Sequence, residues 1–168
     1  MHIAAVGECT IDCYLERGTE CVGGISLNFA VHALRAGASS ASLVSCTGDD
    51  GAGARVRAAL AREGIDATHV ATRAGRTASQ QVSLAAGGER IFPPGGYDEG
   101  VLADFRLDAA AMAMLRTADV IAIPYFRQLV PLVSSVIALR DVRALRVADL
   151  LDGADLGDGT AVLDALLE

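Results

Sequence analysis

Residues 23–53, GGISLNFAVHALRAGASSASLVSCTGDDGAG, decide the fold. Leu27, Ala30, Val31 and Leu34 recur at helical spacing, so the stretch opens with a helix that buries one face. Ser26 is placed to cap its start, and Gly37 to end it in a left-handed conformation. The run Ala41 to Cys46 then has the composition of a buried strand and closes at Gly48. Asp49 and Asp50 precede a second helix, from about Ala52 to Glu63, with Val56, Ala59 and Leu60 on one face and Gly64 as its stop. Helix, strand and helix in this order predict a layered α/β unit with polar groups gathered at one edge.

Working outward towards the N-terminus, His2 to Val6 is a short apolar run closed by Gly7, which suits a central strand. Glu8 to Val22 mixes Thr, Ile, Cys and Tyr with charges and reads as one or two exposed strands. Asp12 falls just beyond the end of the first strand. In open α/β sheets, ligands bind in the crevice outside the carboxyl ends of the strands, so Asp12 is placed for function; the alternative is a solvated turn aspartate.

Towards the C-terminus, the tract 67–92 alternates and carries a Gly87-Gly88 turn, as a hairpin would. Pro93 to Gly96 forms a loop. Asp108 can cap a third helix with Met112 and Leu115, Asp119 to Ile123 makes another buried strand, and Leu129 to Ile137 a fourth helix with Pro131 in its first turn. Leu145 to Ala148 reads as a strand and Ala161 to Leu167 as a last helix. Strands alternating with helices imply a mostly parallel sheet, here with a small β insertion standing off it.

Composition sets the outer limits. A chain of 168 residues suits one domain, and 52% hydrophobic but only 4% aromatic residues require a core of Ala, Val, Leu and Ile. The net charge of -7, with no basic block, argues against a nucleic-acid or anionic-membrane surface. The opening MHIAAVGECTID lacks the basic start and cleavage site of a signal peptide, so a cytoplasmic protein is expected. Cys9, Cys13, Cys21 and Cys46 show no CxxC spacing and read as small apolar thiols in a reducing compartment, with a metal or redox site as the alternative. His2, His32 and His69 form no metal-binding pair and are assigned no catalysis.

Phosphate-binding signatures fail on spacing. Gly48 to Gly53 is G-x-x-G-x-G, neither the dinucleotide fingerprint nor a P-loop. Gly153-Ala154-Asp155 and Gly157-Asp158-Gly159 read as a turn and a helix cap.

A wider array carries more information: Gly7-Glu8, Ile11-Asp12, Gly23-Gly24, Asn28, Ala30, Leu34, Gly37, Gly48-Asp49-Asp50, Gly53, Leu60, Gly64-Ile65-Asp66, His69-Val70 and Thr77. In order and spacing it resembles the N-terminal part of the PfkB (ribokinase-like) sugar kinases. The stretch GGERIFPPGGYDEGVLADFRLD, with its Tyr97-x-Glu99-Gly100-Val101-x-Ala103-Asp104-Phe105 segment, resembles the fructoselysine 6-kinase branch.

The resemblance implies a single ribokinase-like domain over residues 1–168, truncated before the C-terminal part of that fold. A lid is expected at about 9–22 and 69–92. ATP and Mg2+ serve the family, although their binding by this chain alone is not expected. Asp12 is implied to bind sugar hydroxyls: a carboxylate accepts from two neighbouring hydroxyls, and the Asn28 amide both donates and accepts. Asn28 has the alternative of a local bond at the helix start. Gly23 and Gly24 would let the substrate approach the backbone. Gln81 and Arg90 are further candidates on the lid.

Phosphoryl transfer to a hydroxyl needs a base and donors for the developing charge. The family draws both from a C-terminal G-A-G-D motif that this sequence does not contain, so no catalytic residue is assigned. Two expectations follow: the sugar-binding half of an ATP-dependent sugar or fructosamine kinase, or a non-catalytic sugar-binding or interaction module. A sheet stopped midway leaves an open edge, so a homodimer through the lid or that edge is expected.

Overall fold

A computed structural model describes residues 1–125 and 127–150. Five parallel strands form the main sheet in the order β10-β9-β1-β4-β5. They are β1 (His2–Val6), β4 (Ser40–Gly48), β5 (Val70–Arg73), β9 (Val120–Pro124) and β10 (Leu145–Asp149). Successive side chains of a strand point to opposite faces, and β1 shows the consequence. Ala4 and Val6 pack on one side with α3 (Ala109–Leu115) and α4 (Val130–Ile137). Ile3 and Ala5 pack on the other with α1 (Ile25–Arg35) and α2 (Gly51–Glu63). Both faces of the sheet are therefore covered, which is why β4 is buried from Ala41 to Gly48. Leu43, Leu60, Leu115 and Ile121 are at most 1% exposed, each burial worth about 1.5–3 kcal/mol.

The helix boundaries follow their caps. Asp50 accepts from the Gly53 N–H at 2.8 Å and starts α2; Asp108 does the same for α3 through the Ala111 N–H at 2.7 Å. Gly37, at φ 99°, turns the chain away after α1. Ser26 does not cap α1. Its hydroxyl is buried and donates to the Val6 carbonyl at 3.1 Å, tying the helix to the central strand, and Gly24 holds the cap position instead.

A second, smaller sheet stands off the first: β2 (Thr10–Tyr14), β3 (Thr19–Gly23), β6 (Ser79–Leu84), β7 (Arg90–Ile91) and β8 (Tyr97–Asp98). The expected lid segment 69–92 therefore divides. Val70–Arg73 pairs in parallel with Ser45–Gly48 as the edge of the main sheet, and only the part from Ser79 onward joins the small sheet. Alternation alone could not separate the two, because a half-buried edge strand and a lid strand share the same period. The predicted helix at Ala161–Leu167 and the glycine turns at 153–159 lie outside the described residues. Among those described, no helix is long and apolar enough to cross a membrane.

Candidate functional site

The chain reverses direction across the sheet at β1: β4 and β5 lie on one side of it, β9 and β10 on the other. Such a switch point opens a crevice at the strands' carboxyl ends. The small sheet is rooted there. Its first strand leaves β1 through Gly7–Cys9, and β3 returns to α1 through Gly24.

Register sorts the small sheet into two faces. Asp12 pairs with Cys21 and Gln80, Gln80 with Tyr97, and Leu84 with Arg90. Paired residues share a face, and so do residues two apart, so Asp12, Gln80, Arg90 and Tyr97 lie on one side. Ile11, Cys13, Glu20, Val22 and Gln81 lie on the other. That second side packs towards α2: Ile11 is buried in the same cluster as Val56, and Arg55 forms an ion pair with Glu20.

The structure thus brings Asp12 and Arg90 together and separates Gln81 from them. Gln80, half-buried and directly paired with Asp12, is on the Asp12 face, whereas the candidate Gln81 pairs with Cys13 on the other. Strand register, which no single sequence displays, decides which of two adjacent glutamines faces Asp12. The Asp12 carboxylate accepts from the Thr10 hydroxyl at 2.9 Å. Burial raises its pKa, against the lowering effects of the Thr10 hydrogen bond and the Arg90 charge. One carboxylate oxygen is therefore engaged by Thr10, and the group retains acceptor capacity for ligand hydroxyls.

Gly23 and Gly24 have internal reasons to be glycine. A Cβ on Gly23 would collide with the Asp12 carboxylate. Gly24 sits at φ 103°, and a Cβ there would come within 2.8 Å of both the Cys9 Cα and the Glu8 carbonyl oxygen. Their missing side chains make room for the Asp12 carboxylate and for the backbone at Glu8 and Cys9. Asn28 is exposed one turn into α1, and no hydrogen bond joins its side chain to Asp12 among the described residues.

The turn Gly48 to Gly53 is likewise structural. Asp50 accepts from the Thr77 N–H at 3.0 Å and hydroxyl at 2.6 Å as well as from Gly53, and Asp49 accepts from the Gly75 N–H at 3.0 Å. A Cβ at Gly53 would strike the Gly48 carbonyl oxygen. Burial would raise the Asp50 pKa, but these hydrogen bonds outweigh it and hold the group low. An ionised carboxylate already fills the positive start of α2.

Glu8 had no assigned role in the sequence, although its position straight after β1 and Gly7 was a usable signal. It is 3% exposed, and its Oε1 accepts from the Ile25 N–H at 2.8 Å. Its pKa is pushed up to about 7, first by burial, with Asp12 and Asp149 adding to the rise and the Ile25 hydrogen bond opposing it. All four cysteine thiols are free. Among the described residues no group of three or more His, Cys, Asp or Glu side chains could hold a metal ion.

Comparison with known proteins places this geometry in context. The family model described as pfkB family carbohydrate kinase matches residues 2–149. Fructoselysine 6-kinase of Escherichia coli is 36% identical over 119 residues, covering 71% of this chain and 44% of that protein. A fructosamine kinase of Bacillus subtilis is 35% identical over 92 residues, covering 55% of this chain and 32% of that protein. The chain thus spans less than half the length of these relatives. Among solved structures, an uncharacterized sugar kinase from Pyrococcus horikoshii in complex with ATP superposes with a TM-score of 0.76 at 21% identity, over 98% of this chain and 58% of the other. A putative ribokinase II from Escherichia coli gives 0.76 at 18%, with the same coverage. At these identities the two structures speak for the fold.

Proposed function

The chain belongs to the pfkB family of carbohydrate kinases, and from that premise we propose that it carries the sugar-binding face and lid of a kinase for fructosamine-type sugars. The observation that carries this reading is the single lid face bearing Asp12, Gln80 and Arg90 above the carboxyl ends of the parallel strands. A carboxylate, an amide and a guanidinium give acceptors and donors together, as a polyol requires. Asp12 takes the sugar hydroxyls, and Gln80 and Arg90 close over them from β6 and β7. The names of the fructoselysine and fructosamine kinases support a sugar amine over a plain sugar.

ATP with Mg2+ is the donor in this reading, supported by the family and by the ATP complex of the Pyrococcus neighbour. The described residues do not fit it well. The helix start after β4, where a phosphate could sit, is occupied by Asp50 and flanked by Asp49. The part of the reaction assigned to this chain is therefore recognition. A cytoplasmic setting agrees with its free thiols.

Thermal denaturation with fructoselysine, fructose and ribose tests the reading. A ligand at a hundredfold excess over its Kd adds about 2.7 kcal/mol, a rise in Tm of roughly 5–10 °C for a chain of this size. Fructoselysine is expected to give that rise and Asp12→Ala to abolish it. Absence of stabilisation by all three sugars would reject the proposal.

A further inference from the structure

The face that carries Asp12 continues outward from the crevice in a fixed order. Thr10 stands where β2 leaves the main sheet, and Tyr14 at the far end of the strand. Asp12 pairs with Gln80, Tyr14 with Val82, and Leu84 with Arg90. Gln80, Val82 and Leu84 alternate along β6 and so share this face. Three rows result: a carboxylate with an amide nearest the crevice, an aromatic ring beside a valine next, and a cation beyond them. Arg90 is level with Leu84, four residues along β6 from Gln80, a separation of about 13 Å at the rise of a strand.

The fold leaves the Arg90 guanidinium to solvent. Arg35, Arg55, Arg62 and Arg76 are held by carboxylates, whereas no hydrogen bond or ion pair engages exposed Arg90 among the described residues. Its contact is the ring of Phe92, just past β7, with the Arg90 Cζ 5.9 Å from the ring centroid. Its charge is felt at the Asp12 carboxylate, so the guanidinium serves the Asp12 face.

We propose that this face binds a fructosamine whose amine sits on an alkyl chain ending in a carboxylate, with the sugar at Asp12, the chain along Tyr14 and Phe92, and the carboxylate on Arg90. The inference rests on the sugar-binding reading of the Asp12 face and names the part of the ligand that lies beyond the sugar. Charge order supports it. The ammonium of a fructosamine adjoins the sugar, on the side of Asp12, and the carboxylate at the far end meets the cation. Val82 is fully buried, so the apolar surface left for the chain is the half-buried Tyr14 ring and the exposed Phe92 ring. A guanidinium has five N–H donors; a carboxylate takes two of them as a bidentate pair and leaves the others for sugar hydroxyls.

Two ligands separate this from recognition of the sugar alone: the fructosamines of 6-aminohexanoic acid and of hexylamine, equal in chain length and different in the terminal carboxylate. Each is titrated calorimetrically into the 168-residue chain and into Arg90→Gln, whose exposed site leaves the fold intact. The wild type is expected to bind the carboxylate ligand about tenfold to a hundredfold more tightly, and Arg90→Gln to bring that ratio to about one. Equal affinities in the wild type, or an unchanged ratio in Arg90→Gln, overturn the inference and leave the sugar reading standing. If neither ligand binds, the sugar reading fails and the inference falls with it.

Discussion

The Asp12 carboxylate fills the space that a side chain on Gly23 would need, across the β2–β3 pair where Thr10 is the direct partner of Gly23. The candidate sugar ligand and the glycine facing it are thus one steric unit. Gly23→Ala is expected to displace Asp12, cost about 1–3 kcal/mol in stability through overpacking, and remove fructoselysine-induced stabilisation while the far-UV spectrum stays native. Unchanged sugar affinity in this variant would show that Asp12 is not a ligand.

The two faces of the small sheet make opposite predictions for adjacent residues. Gln80→Ala and Arg90→Ala should each weaken sugar binding by about tenfold, the loss of roughly 1.4 kcal/mol that one hydrogen bond to a ligand represents. Gln81→Ala should leave it within twofold, since Gln81 lies on the opposite face. Calorimetric titration of the three variants distinguishes them, and an effect confined to Gln81→Ala would reverse the assigned face.

Glu8 also makes stability depend on pH. Its folded pKa of about 7 exceeds its unfolded value, so the folded state binds more protons between the two. Its contribution is therefore complete below about pH 4.5 and is lost as pH rises through 7, amounting to about 3 kcal/mol. Denaturant unfolding at several pH values should show Glu8→Gln gaining on the wild type over that window and keeping a constant margin above it. A margin that does not change with pH would contradict the burial of the charge.

Asp50 is a cap and a tie. Asp50→Ala removes the α2 cap and both Thr77 hydrogen bonds, with an expected loss of about 2–3 kcal/mol by urea unfolding. If the residue instead served a phosphate, the variant would keep its stability.

The homodimer expected from the sequence would find exposed apolar side chains at the small sheet. Leu15 just past β2, Ile91 of β7 and Phe92 just past it are exposed, and the Leu15 N–H donates to the Val82 carbonyl while Ile91 pairs with Ser83, so Leu15 and Ile91 flank one row. Dimerisation through this row predicts that Leu15→Glu with Ile91→Glu lowers the sedimentation coefficient to that of a monomer. The exposed Leu145 and Val147 of β10, the edge of the sheet among the described residues, are the other expected surface, and Val147→Lys should then be the variant that dissociates a dimer.

The layered fold was legible because burial on both sides of a sheet leaves unmistakable marks: Leu27, Ala30 and Val31 at helical spacing, the continuous run of β4, and aspartates at helix starts. Ser26 departs from its expected cap role because a hydroxyl at a helix start has two outlets, its own backbone or a neighbouring strand, and only packing shows that the Val6 carbonyl lies within reach. The tract 67–92 was read as one hairpin because β5 and β6 carry the same alternation, although one pairs with β4 and the other with β2.

The site divides along the same line. Local sequence placed Asp12 just past the first strand and Arg90 in an exposed strand tract after the Gly87-Gly88 turn, since strand ends and turn glycines are set by nearest neighbours along the chain. The pairing of Gln80 rather than Gln81 with Asp12, the exclusion of a side chain at Gly23 by Asp12, and the burial of Glu8 against Ile25 were decided by tertiary structure alone. Each depends on register or contact between segments that meet only when the chain is folded, and a shift of one residue in β6 would turn the other glutamine to the Asp12 face.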